Sequence, residues 1–410
     1  MLIFPINRVP DEMNHARMTW EILHEPTDRT VKWMDIVTST PAVKPNEYVK
    51  LFTDKLDMSQ EKHRLSLGLK NLSFLPQLLG MSLGELLYPS IGVIIFLGRF
   101  FNAMAYLLGI YFLLSYFKYG KKVLFFLSLL PIMVQQAASL SYDVMNYLEI
   151  MWAVGFLTRL AYFKKFGKAQ LLEVSLIAVG LLATKPNNVL LLSLIPFILF
   201  EFTGVLSVLN RPIEACKKLI RSHVGLFLAL AMVLSIAICW LLMRNHGGLS
   251  HYFQVLVNTL FNNRLNPDLN SILTIGLFAY LGNFTIQLPL WLIFIDIIAL
   301  VYLSFQEGES FTKSYRWMSF LLFCIQVLAV ITVMYLQWTP IVLGADANIS
   351  VGAQGRYFTP FLILLFPIVS GLAKPALSQK RQMLYATSLL TLNFLVSLYL
   401  VIPYYWNLWG

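Results

Sequence analysis

From about residue 90 to residue 404 the chain is a succession of apolar runs, each near the roughly 17–25 residues that carry a helix across a bilayer. They fall at 91–117, 121–138, 143–163, 170–184, 188–206, 224–243, 287–305, 317–338, 357–373 and 382–404. Backbone polar groups in lipid must be satisfied within their own segment, so runs of this kind cross as helices. The expectation is an all-α, polytopic integral membrane protein with about ten transmembrane helices. Composition agrees: 58% of the 410 residues are hydrophobic and only 13% are charged, against about 25% charged in a soluble domain. An ordinary cytosolic domain, a disordered chain and a nucleic-acid binder are excluded.

Charge divides the chain. Residues 1–70 hold 10 acidic and 10 basic side chains, so the whole net charge of +10 belongs to the rest. We read 1–90 as an extracytoplasmic N-terminal segment and 91–410 as the transmembrane helical domain. Of the 21 basic residues after position 70, 16 fall in alternate loops, from Lys118, Lys121 and Lys122 to Lys374, Lys380 and Arg381. The positive-inside rule puts those loops in the cytoplasm. The N-terminal segment, the loops 64–90, 139–142, 244–286 and 339–356, and the C-terminal Tyr404–Trp406 are then outside. Met1–Ile6 is too short for a signal peptide. It reads as the last turn of an outward-running helix that begins before Met1; the other reading is a short translocated tail.

Several chemistries lack their signatures. Cys216, Cys239 and Cys324 imply no disulfide framework, and the six histidines show no HExxH or paired metal spacing. There is no P-loop, no GxGxxG after a strand and no GxSxG. No cofactor and no metal site follow from the residues, although a divalent metal is left open.

Ionisable side chains within or beside lipid cost at least ~2.5–3.5 kcal/mol at mid-bilayer, which makes each a functional candidate. Four groups qualify: Asp11-Glu12 with His15, Ser141-Tyr142-Asp143, Lys185-Pro186, and Gln354-Gly355-Arg356-Tyr357. Arg99, inside the first long run, needs an anionic or carbonyl partner. Each group also has an ordinary reading. Asp11 and Glu12 would be first-turn helix acids, Ser141 and Asp143 an N-cap, Lys185 a snorkelling side chain and Arg356 a headgroup anchor. Taken together, Arg99, Lys185 and Arg356 with Asp11 and Asp143 all map to the outer half of the membrane. Cations there suit a phosphate or diphosphate at headgroup depth, and a neighbouring carboxylate can take a proton from an acceptor hydroxyl.

The order Pro10-Asp11-Glu12-x-x-His15, Phe74–Gly80, Leu97-Gly98-Arg99-Phe100-Phe101-Asn102, Ala138–Asp143, Lys185-Pro186 and Gln354-Gly355-Arg356-Tyr357-Phe358-x-Pro360 resembles one family over about residues 8–404. It is the bacterial membrane-protein family called domain of unknown function 2142, grouped with the GT-C glycosyltransferase superfamily. The resemblance implies a GT-C-like fold, with an external loop carrying interfacial helices over about Leu72–Leu87. Leu72–Leu87 itself, with Pro76 and its glycines, fits an interfacial or a re-entrant helix rather than a span. The resemblance also implies transfer of a sugar from a polyprenyl-phosphate carrier to an extracytoplasmic cell-envelope glycan or polymer, with inversion, at the bacterial cell membrane. On that pattern Asp11 is the general base, Glu12 the second choice, and Asp143 the second acidic position. Arg356, Lys185 and Arg99, with His15, Tyr357 and Gln354, would bind substrate. The rival readings are a transporter or flippase for lipid-linked saccharide, or a noncatalytic assembly subunit.

Overall fold

The computed structural model describes residues 3–26, 43–261, 273, 275–305 and 311–406. It is mostly helical. Its only strands among these residues are two-residue pairings, Lys165–Phe166 parallel to Glu201–Phe202 and Tyr280–Leu281 antiparallel to Ile286–Gln287.

Among the described residues, three helices are long and apolar enough to cross a bilayer: Ile91–Tyr116, Lys313–Gln337 and Gln379–Trp406. Ser90 starts the first by accepting the Val93 N–H, and Thr312 starts the second by accepting the Tyr315 N–H, each side chain satisfying a donor the helix leaves unpaired. Their outward faces, including Leu107, Leu108, Tyr111, Phe112 and Tyr399, are exposed, an apolar surface suited to lipid rather than water. A fourth candidate span bends by 92° between Met232–Met243 and Gly248–Leu260.

Several expected runs are helical but interrupted. The 121–138 run divides into Lys121–Ser128 and Pro131–Ala137, because Pro131 has no N–H to continue the ladder. The 188–206 run is a 3₁₀ helix over Pro186–Phe197 with Pro196 inside it, followed by Glu201–Phe202 and a second 3₁₀ helix, Gly204–Leu209. The 357–373 run becomes 3₁₀ turns at Gly355–Tyr357 and Thr359–Leu365, then a short helix at Phe366–Val369. Pro360 and Pro367 stand near the starts of those last two pieces, where a missing N–H costs least.

The segment expected to hold an interfacial helix is helical over Leu75–Leu87, preceded by a 3₁₀ turn at Leu69–Phe74. Its glycines do not break it. A Cβ on Gly80 would lie 2.2 Å from the Leu97 carbonyl oxygen, and one on Gly84 would lie 2.7 Å from Ile94 Cα. Spaced four apart, the pair brings this helix backbone-to-backbone against Ile91–Tyr116, as small residues do between membrane helices. The Glu12–Trp20 helix packs on the same hairpin, burying Met13, Ala16 and Trp20 with Met81, Ile94, Ile95 and Leu140. The beginning of the described chain meets its end: Trp406 Nε1 donates to the Ile3 carbonyl at 2.8 Å and Val43 N–H to the Tyr405 carbonyl at 2.7 Å.

Candidate functional site

The site is built around the turn 139–143, between the Pro131–Ala137 and Asp143–Phe163 helices. Asn102, on the first long helix, donates to the carbonyls of Ser139 and Ser141 at 2.8 and 2.9 Å. The Leu140 peptide is held from the N-terminal helix on both sides. Its N–H donates to Glu12 Oε1 at 3.3 Å and its carbonyl meets His15 Nδ1 at 3.2 Å. Ser141 Oγ accepts the Asp143 N–H at 3.2 Å, a local turn bond rather than the expected cap: the helix N-cap is Tyr142, with no side-chain capping bond. These contacts fix Asp143 before any substrate arrives.

Four ionised side chains from distant parts of the chain meet there. Arg356 Nη2 lies 2.5 Å from Asp11 Oδ2 and Nη1 lies 3.4 Å from Asp143 Oδ2. Lys185 Nζ lies 2.8 Å from Asp143 Oδ1. Arg356 also donates to Gln354 Oε1 and, at 2.6 Å, to Gln136 Oε1. Tyr357 lies under both cations, with Lys185 Nζ 4.3 Å and Arg356 Cζ 5.1 Å from its ring centroid, a geometry in which the ring quadrupole attracts them. Arg356, Asp143 and Gln136 are buried, whereas the Asp11 side chain is 38% exposed and that of Lys185 22%. The cluster therefore has a buried floor and an accessible rim, with Asp11 on the rim.

Local backbone explains the placement. Asp11 stands in the left-handed region at φ 62°, preceding the Glu12–Trp20 helix without capping it. That conformation is strained for most residues but tolerated by Asp. It turns consecutive carboxylates apart, Asp11 to Arg356 and Glu12 to Arg99. Lys185 sits where the Lys168–Thr184 helix gives way at Pro186. Asn188 Nδ2 donates to Asn146 Oδ1 and Asn187 Nδ2 to Gln326 Oε1, at 2.5 and 2.8 Å, holding that break open.

Glu12 and Arg99 do not join the cluster. They form their own buried pair, with Arg99 Nε and Nη2 each 2.6 Å from a Glu12 oxygen. The remaining Arg99 donors go to the carbonyls of Phe4 and Pro5 at 2.7 and 3.0 Å, and Glu12 Oε2 accepts the Asn7 N–H at 3.0 Å. The partner that Arg99 needs is thus Glu12, and the pair stands apart from the Arg356 cluster. His15 borders the cluster, edge-on to Tyr142 at 4.7 Å. Burial lowers its imidazole below the ordinary value, while Asp143 and Asp11 pull it back up.

Sequence reasoning passed over Gln136. It accepts from Arg356, and its buried Nε2 has no hydrogen-bond partner among the described residues. The signal was the polar pair Gln135-Gln136 inside an apolar run, overlooked because neither residue is charged.

Long apolar helices, lipid-suited faces and a charged cluster set between them define a polytopic helical membrane protein. The chain belongs to the family described as Predicted membrane protein (DUF2142), which matches residues 38–365. The matched range is narrower than the motif resemblance: it contains Arg99, Asp143, Lys185 and Arg356 and leaves out Asp11, Glu12 and His15. No curated protein and no solved structure matches the chain.

Proposed function

We propose that the protein is a GT-C-like glycosyltransferase with about ten membrane crossings and its basic loops in the cytoplasm. It would move a sugar from a polyprenyl-phosphate carrier to a hydroxyl of an extracytoplasmic cell-envelope glycan or polymer. The observation that carries this reading is the Asp11–Arg356–Asp143–Lys185 cluster, with its buried guanidinium and its exposed carboxylate. The two cations and two carboxylates balance, so a phosphate reaching Arg356 must compete with Asp11 for it. Success binds the donor and frees a carboxylate beside it. Asp11 then accepts the proton of the acceptor hydroxyl as that oxygen bonds to the anomeric carbon. The bond from that carbon to the phosphate oxygen breaks in line, with inversion, and the lipid phosphate leaves as an anion stabilised by Arg356 and Lys185. Asp143 keeps both cations oriented, and Gln136 Nε2 offers a further donor at the same point.

Incubating the purified protein with a panel of labelled polyprenyl-phosphate sugars and cell-envelope glycan acceptors tests the reading. Transfer of label to the acceptor with inverted configuration supports it. Movement of lipid-linked sugar across vesicles without transfer would instead make the protein a transporter.

A further inference from the structure

The fold assembles a second group of side chains that the histidine spacing gave no hint of. His24 follows the Glu12–Trp20 helix, His63 lies in the segment before Leu69, and Glu85 is on the Leu75–Leu87 helix. His24 and His63 face each other across an isolated antiparallel bridge. Flanking backbone bonds fix it, from Glu25 N–H to the Lys62 carbonyl at 2.9 Å, Arg64 N–H to Leu23 at 2.7 Å and Ser66 N–H to Ile22 at 2.8 Å. One ligand atom from each of His24, His63 and Glu85 lies within 4.8 Å of the other two.

The chemistry of His24 points to what sits between them. Its Nδ1 lies 3.2 Å from the Trp20 carbonyl, an acceptor only, so that nitrogen carries a proton. The Nε2 lone pair then faces Glu85 Oε1 at 3.3 Å. Two electron-pair donors at that range need a cation between them. A proton would serve His24 and Glu85 alone, but His63 supplies a third donor. The 3.3 Å His24–Glu85 separation also matches the edge of a tetrahedron of nitrogen and oxygen ligands at Zn²⁺ distances, about 3.3 Å, and the exposed His63 side chain, within 4.8 Å, closes on the metal by rotating inward. A histidine that ligates through one nitrogen while its other N–H is held by a backbone carbonyl is the usual metal-site arrangement. Stacking of the ring on Trp20, at 3.7 Å between centroids, fixes its plane. His24 is buried, His63 exposed and Glu85 partly exposed, which leaves a coordination position open to water.

We propose that His24, His63 and Glu85 form a binding site for a divalent transition-metal ion, Zn²⁺ by ligand type. The metal ties the segment that leaves the Glu12–Trp20 helix to the Leu75–Leu87 helix, and so braces the part of the chain that carries Asp11. The site is separate from the Arg356 cluster and stands whether or not that cluster transfers sugar.

The test uses the full chain, purified in detergent with a histidine-free tag, stripped with EDTA and titrated with ZnCl₂ by calorimetry, with Co²⁺ absorption as a second probe. The expected result is one Zn²⁺ per chain and a tetrahedral Co²⁺ spectrum. His63→Ala and Glu85→Gln should each weaken Zn²⁺ binding at least tenfold. Metal should raise the melting temperature of wild type but not of His63→Ala, whose metal-free melt matches wild type because His63 is exposed. Asp11→Asn should bind Zn²⁺ as wild type does. The proposal is overturned if wild type takes up no Zn²⁺ at micromolar concentrations. It is equally overturned if His63→Ala and Glu85→Gln bind like wild type, or if Asp11→Asn abolishes binding.

Discussion

Arg356 Nη2 and Asp11 Oδ2 are 2.5 Å apart, joining the start of the Glu12–Trp20 helix to the Gly355–Tyr357 turn far along the chain. The pair makes the N-terminal segment part of the site rather than an appendage. Arg356 is the partner the two carboxylates share, since one guanidinium contacts both.

Arg356→Lys keeps the charge but loses the planar fork that serves Asp11, Asp143 and Gln136 together. We expect transfer to fall on the order of 100-fold or more, with insertion and melting close to wild type. Arg356→Gln should lose binding of the lipid-phosphate donor as well, measured by equilibrium binding of labelled donor. Donor affinity unchanged in Arg356→Gln would remove Arg356 from the phosphate site.

Glu12→Gln tests the division of labour between neighbouring acids. It leaves Arg99 buried without its counter-charge, a loss of about 3–5 kcal/mol for a buried pair. The expected outcome is a sharp drop in folded yield and melting temperature. Replacing both partners, as in Glu12→Gln with Arg99→Met, should recover part of the loss. A Glu12→Gln protein that folds normally but transfers no sugar would move the base from Asp11 to Glu12.

Gly80 tests the hairpin that seats the N-terminal helix. Even the methyl group of Gly80→Ala falls 2.2 Å from the Leu97 carbonyl oxygen, and backbone cannot yield as a side chain can. Destabilisation of roughly 1–3 kcal/mol or more is expected, read as a lower melting temperature in detergent. A wild-type melt would show that the two helices are not in contact there.

His15 gives the site a pH dependence whose sign follows from burial. Its folded value is depressed, so the unfolded chain takes up the proton first as pH falls. Asp143, Asp11, Arg356 and Lys185 all face it. The stability it contributes is complete above its unfolded value, near 6.5, and is lost as pH drops below that. Between pH 7.5 and 5.5 the wild-type melting temperature should fall more than that of His15→Gln, which has no such proton to gain. Equal slopes would place His15 outside the buried site.

Much of this was legible in the sequence because it rests on charge in an apolar background. Asp11, Asp143, Lys185 and Arg356 stood out singly as costly ions, and the fold brings those four into contact. Arg99 was legible as a cation needing a partner, but not as Glu12's partner. That required the left-handed turn at Asp11, which sends adjacent carboxylates opposite ways. Helix continuity was harder to read. Hydropathy averages over Pro131, Pro196 and Pro360, and those residues decide where a run breaks into shorter or 3₁₀ pieces. The packing role of Gly80 and Gly84 was not legible, because sequence shows a missing side chain and not the neighbouring backbone that fills its place. The His24–His63–Glu85 group was invisible to spacing, since an isolated backbone bridge and a helix hairpin bring it together.

The most direct test of the central claim is transfer by Asp11→Asn. The substitution keeps the shape and a hydrogen bond toward Arg356 but removes the proton acceptor. With labelled polyprenyl-phosphate sugar and acceptor, the variant should insert and melt like wild type and bind donor at least as tightly, because a neutral Asn competes less for Arg356, while its transfer rate drops by about 10²–10⁴-fold. Full transferase activity in an Asp11→Asn protein that inserts normally would contradict the account.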